Sequence, residues 1–152
     1  MPIFEDLSQS GFRYAGEVVT AGEANIQPGL MVRLQSDGTA DLSEANERPH
    51  GFAFGDIGAR EYRPIKSVFA VGDELTVLMG SGLVAMSVDF FSSGSLPAVG
   101  NQLYSGANGK MATSGSYKVA ECIATKTAYE PIAGVGSATS VVIVRYNFDA
   151  YS

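Results

Sequence analysis

Few residues of this chain have the chemistry to act on a substrate. His50 is the only histidine and Cys122 the only cysteine among 152 residues, so a structural zinc site, which takes three or four such ligands, cannot be assembled. A single cysteine also excludes an internal disulfide framework. A serine nucleophile needs a histidine beside it and a sharp elbow to present it. Ser81, in Gly80-Ser81-Gly82, instead sits at the expected tip of a hairpin, and His50, between Pro49 and Gly51, marks a strand entrance. Asp37, Asp41, Glu44 and Glu47 could gather oxygen atoms around calcium, but the glycine and backbone spacing of a calcium loop is missing, so they read as a solvated acidic rim. Gly134-Val135-Gly136 lacks the third glycine and the strand–helix surroundings of a dinucleotide fingerprint. Cys122 lies in the alternating run 119–124, the setting of a buried structural thiol. The expectation is no catalytic residue, no metal site and no cofactor.

The elements that would carry any site are strands. One phrase recurs three times, as Gly29-Leu30-Met31-Val32 with Gly38-Thr39-Ala40, Gly72-Asp73-Glu74-Leu75 with Gly82-Leu83-Val84, and Gly100-Asn101-Gln102-Leu103 with Gly109-Lys110-Met111. The glycine spacing leaves room for a strand, a tight reversal and a second strand, so each copy predicts a β-hairpin. Further strands are expected at 14–19, 51–55, 67–71, 117–124 and 140–146, the last apolar on both faces and therefore central. The pair around Gly80-Ser81-Gly82 is the longest of the hairpins. No segment sustains a helical period. The fold class is all-β, one compact barrel-like domain built from hairpins over residues 14–152.

Residues 1–13 stand apart as an N-terminal arm. Ile3, Phe4, Leu7 and Phe12 fit neither strand nor helix period, and Ser8-Gln9-Ser10-Gly11 interrupts them with turn chemistry. Such an arm must dock on its own domain or on a neighbour. Phe90-Phe91 heads a glycine–serine loop, and Tyr129 lies in a long small-residue loop at 128–139 of the kind that commonly contacts a partner. The aromatics among these are either buried by loops that fold back on the domain or cover an interface, where aromatic anchors concentrate binding energy; on the second reading Ile3, Phe4, Leu7, Phe12, Phe90, Phe91 and Tyr129 are the candidate partner-interface residues.

Composition narrows the partners. Apolar residues make up 45% and charged ones 17%, with 18 glycines, which suits many short strands and turns. Ten basic against sixteen acidic side chains, a net charge of -6, disfavour nucleic acid bound through counterion release. No apolar run reaches the roughly 20 residues of a membrane helix, and Met1-Pro2-Ile3-Phe4-Glu5-Asp6 lacks the basic start of a signal peptide. A soluble protein made in a cytoplasm is expected.

From Gly16 to about Tyr146 the chain resembles the head decoration, or capsid cement, proteins of tailed bacteriophages. The resemblance is carried by Gly16-Glu17-Val18-Val19, Ile26-Gln27-Pro28-Gly29-Leu30-Met31-Val32 with Asp37-Gly38, Pro49-His50-Gly51-Phe52-Ala53, Val71-Gly72-Asp73-Glu74-Leu75 with Gly82, and Val99-Gly100-Asn101-Gln102-Leu103-Tyr104 with Gly109-Lys110. It implies a compact β-barrel or β-tulip domain without catalysis, made in the host cytoplasm. It also implies attachment to the outer capsid surface of the virion, commonly as a homotrimer, where major capsid proteins meet. Two other readings stand beside it: a tail, baseplate or fibre β-module, and an enzyme like the trimeric dUTP pyrophosphatases. The nucleoside motif and glycine-rich phosphate loop of those enzymes have no counterpart here, where the chain ends Asn147-Phe148-Asp149-Ala150-Tyr151-Ser152.

Overall fold

Alternating apolar residues between reversals build eleven strands over residues 4–7, 16–54, 68–130 and 139–148, the parts this computed structural model describes. They are β1 Phe4–Asp6, β2 Gly16–Ala21, β3 Met31–Leu34, β4 Thr39–Leu42, β5 Gly51–Ala53, β6 Glu74–Leu78, β7 Ser81–Met86, β8 Gln102–Ser105, β9 Met111–Ala112, β10 Lys118–Tyr129 and β11 Thr139–Asn147. Single 3-10 turns occupy Val88–Phe90 and Ala107–Gly109, and no α-helix occurs among the described residues. The all-β expectation holds. Five strands close a barrel in the order β2-β4-β3-β5-β6, and six form a sheet in the order β1-β7-β11-β10-β8-β9.

The two bodies share one core, and strand periodicity explains how. Successive side chains of a strand point to opposite faces. On β3, β5 and β6 the residues Val32, Ala53, Leu75 and Val77 fill the barrel with Ala21, Ile26, Ala40 and Phe69. Their neighbours Met31, Phe52 and Leu78 point outward and meet Val84, Met86, Leu103, Val142, Val144 and Tyr146 of the sheet. The barrel wall is thus also a core layer. On the other face of the sheet, Ala85, Val141 and Ile143 pack with Leu7, Ile123, Ala124 and Tyr129. Strand β11 lies between β7 and β10, as its two apolar faces predict.

The hairpin expectation succeeds at the first and third phrases, where β3 pairs with β4 and β8 with β9. It fails at the second. Strand β6 pairs with β2 and β5, whereas β7 pairs with β1 and β11, so the chain leaves the barrel for the sheet at Met79-Gly80. Glycines specify a reversal but not who pairs with whom. Leu75 and Val77 are needed inside the barrel, and β7 is buried on both faces at Val84, Ala85 and Met86 and takes a neighbour on each side. Two further differences concern strand length. Of 67–71, among the described residues, only Phe69 bridges, to Ile26, and β10 runs on through Tyr129 past bulges between Cys122 and Ala124 and between Lys126 and Tyr129. Those bulges break the two-residue period that would have announced the extension.

The arm is docked over residues 4–7. Phe4 pairs with Met86 across β1 and β7, and its ring lies 5.1 Å from that of Phe52 and 6.0 Å from that of Phe90. Gly29 makes room for this cluster: at φ +101° a Cβ there would stand 2.6 Å from the Phe90 ring and 2.9 Å from that of Phe4. At the far side, the Ala107–Gly109 turn clips sheet to barrel. Gly109 N–H donates to Ser43 O at 2.7 Å, and Ser105 Oγ donates to Glu44 O at 3.1 Å.

Candidate functional site

A depression of about 600 Å³ opens beside the crossover, lined by Arg33, Leu34, Glu47, Arg48, Pro49, His50, Met79 and Phe148. Four parts of the fold converge to form it. Strand β3 supplies Arg33 and Leu34, and the link between β4 and β5 supplies 47–50. Met79 comes from the crossover and Phe148 from the end of β11, where its N–H donates to Gly80 O at 2.9 Å. The link is held by its own turn: Glu44 N–H donates to Glu47 Oε1 at 2.9 Å and Glu47 N–H to Glu44 O at 3.0 Å. His50 N–H donates to Val32 O at 2.7 Å and fixes the link to β3.

Arg33 is the best-anchored polar group of the depression. Its Nε lies 2.7 Å from Glu47 Oε1, an ion pair in which the N–H does not aim at the oxygen. Its Nη1 donates to Gln35 Oε1 at 3.0 Å, and the Gln35 amide in turn donates to the Asp41 carboxylate. The guanidinium is half-buried and oriented from two sides. Arg48 is exposed. Two guanidinium groups against one carboxylate leave the lining of this depression one positive charge in excess on a chain of net charge -6. Leu34, Pro49, Met79 and Phe148 give it an apolar wall. It can hold an anionic group attached to an apolar body.

The seven interface candidates separate. Phe4, Phe90 and Phe91 are 4%, 2% and 3% exposed and belong to the shared core, so in this folded chain they anchor the interior and not a surface. Leu7 and Tyr129 come together, half-buried, in the small cluster on the other face of the sheet. Tyr129 Oη donates to Glu5 Oε1 at 2.7 Å, and Glu5 itself is only 4% exposed. Burial first, then this hydrogen bond and the nearby negative charge, pushes the Tyr129 phenol well above the ordinary tyrosine range. Ile3 and Phe12 lie outside the described residues.

The remaining groups with chemical potential are scattered. Cys122 is buried, its thiol pushed up by burial, 3.8 Å from Pro97 O. Asp37 caps its own turn through Thr39 N–H at 3.0 Å and Thr39 Oγ1 at 2.7 Å, which lowers its carboxyl below the usual range. Among the described residues no three His, Cys, Asp or Glu side chains converge as a metal site, and no helix is long and apolar enough to cross a membrane. Sequence reasoning missed Arg33 and Arg48 because it weighed motifs. The legible signal was two basic residues flanking an acidic stretch, Arg33 on a strand and Arg48 in the link that follows. No family model matches the chain, and neither a curated protein nor a solved structure matches it.

Proposed function

We propose that this chain is a structural virion protein, a decoration or cement protein that binds the outside of an expanded phage head and stabilises contacts between major capsid proteins. The observation that carries the reading is the pairing of a small closed barrel with a curled sheet through one shared core, the compact β body that the resemblance implies. Such a body presents preformed loops at little ordering cost on binding. Because Phe4, Phe90 and Phe91 are interior, the shell contact falls to surface groups, and among the described residues Val71 and Val99, 65% and 58% exposed, are the most exposed large apolar side chains.

A protein that binds only the expanded shell stabilises it by mass action. Assembly as a trimer on a symmetry axis makes the second and third attachments effectively intramolecular, so modest contacts of roughly 800 Å² per partner suffice. The test is quantitative mass spectrometry of purified heads and tails, with reconstitution onto heads stripped of the protein. Stoichiometric presence on heads and raised resistance of the shell to heat support the reading. Absence from heads, or presence on tails alone, ends it.

A further inference from the structure

We propose that the depression between Arg33, Arg48 and Phe148 is a recognition site for an acidic segment of a partner protein, one that presents a carboxylate next to an aliphatic or aromatic side chain. The site adds to the structural role above and rests on that reading only for which protein supplies the segment.

Three observations favour this occupant. The charge is complementary: two guanidinium groups and one carboxylate line the depression with four apolar side chains, a net positive charge on a chain of net charge -6. One guanidinium is already oriented, since Glu47 and Gln35 hold Arg33 from two sides, so little side-chain freedom is lost when an anion arrives. The shape suits a larger, tethered occupant. A volume of about 600 Å³ is far more than a bare inorganic anion fills, and the depression is open to solvent, whereas small-molecule sites enclose 70–90% of their ligand. An occupant held at an open site is tethered elsewhere, as a side chain of a docked protein is.

In the bound state one carboxylate oxygen would accept from Arg48, the second from the free face of the Arg33 guanidinium, and the neighbouring apolar side chain would cover Leu34 and Met79. Charge-assisted contacts of this kind combine geometric specificity with an apolar anchor.

The experiment is a chemical-shift titration of the isotope-labelled full chain with three probes: acetyl-Ser-Glu-Leu-Asp-Ser amide, the matching peptide with Gln and Asn in place of Glu and Asp, and sodium phosphate. The expected result is shifts confined to residues 33–34, 47–50, 79 and 148 with the acidic peptide, at millimolar affinity or tighter. Affinity should fall about tenfold in Arg48→Glu, a loss of roughly 1.4 kcal/mol. Arg48→Gln, with a smaller loss, serves as a second variant should the charge reversal disturb the spectrum. No shifts at these residues, equal binding of the uncharged peptide, or the same shifts and affinity with phosphate alone would each overturn the proposal. None of these outcomes depends on the presence of the protein on phage heads.

Discussion

The Tyr129 hydroxyl donates to the Glu5 carboxylate at 2.7 Å, joining β10 to β1 across the two strands that separate them in the sheet. Glu5 is buried, so the bond holds an edge strand by one of its few polar groups. Tyr129→Phe removes a donor from a buried carboxylate and should cost about 1–3 kcal/mol. Urea unfolding gives the magnitude, and hydrogen exchange should show the loss first at 4–7. An unchanged midpoint and unchanged protection would contradict the bond.

The same pair sets an alkaline limit. The phenol of Tyr129 is raised above its ordinary value of 10.0, so the folded state favours the protonated form. The stability this contributes is whole below pH 10 and is lost as pH rises past 10, where the unfolded chain ionises before the folded one does. Wild type should therefore lose more stability than Tyr129→Phe between pH 9 and pH 11. A spectrophotometric titration should show one of the seven tyrosines ionising late, a signal absent from the variant.

Two glycines with positive φ separate backbone cost from packing cost. Gly38, at φ +86°, has open space around the Cβ it lacks, so Gly38→Ala should cost only about 1 kcal/mol. At Gly109, φ +76°, an added Cβ would stand 2.7 Å from Met31 O and 3.1 Å from the Leu30 and Leu42 side chains. Gly109→Ala must add displacement of the clip between sheet and barrel and should cost about 2–4 kcal/mol. Equal melting temperatures for the two variants would refute the clip.

Phe4 sits among Phe52, Phe54 and Phe90, with rings 5.1 to 6.1 Å apart. Phe4→Ala should cost about 3–5 kcal/mol, as for other buried phenylalanines, and free the edge of β7. Calorimetry measures the first effect and protection of the Val84, Ala85 and Met86 amides the second. A loss below about 1 kcal/mol would mean that the arm is not part of the core.

How much of this was legible depended on distance along the chain. Turn glycines and alternation were enough for the all-β class, the hairpins at Gly38 and Gly109 and the central place of β11, because each is settled within about ten residues. The partners of β6 and β7 were not, since a turn at Gly80 looks the same whether its strands pair together or part. Ala128 shows a subtler failure: an alanine at φ +52° inside a bulge carries none of the marks of a turn, so β10 looked shorter than it is. The depression was hidden because Arg33, Arg48, Met79 and Phe148 meet only after the crossover has joined the two bodies. Phe4 was recognised as needing cover, but pattern alone cannot tell a cover supplied by the same chain from one supplied by a neighbour.

Strands β3, β5 and β6 have interiors on both sides, and this makes the molecule a promising display scaffold. Met31 and Val32, Phe52 and Ala53, and Val77 and Leu78 serve opposite cores in adjacent positions, so a slip of one residue would scramble both at once. With alignment enforced twice over, foreign sequence grafted at the exposed tips 36–38, 92–95 or 113–116 has little leverage to shift the framework beneath it.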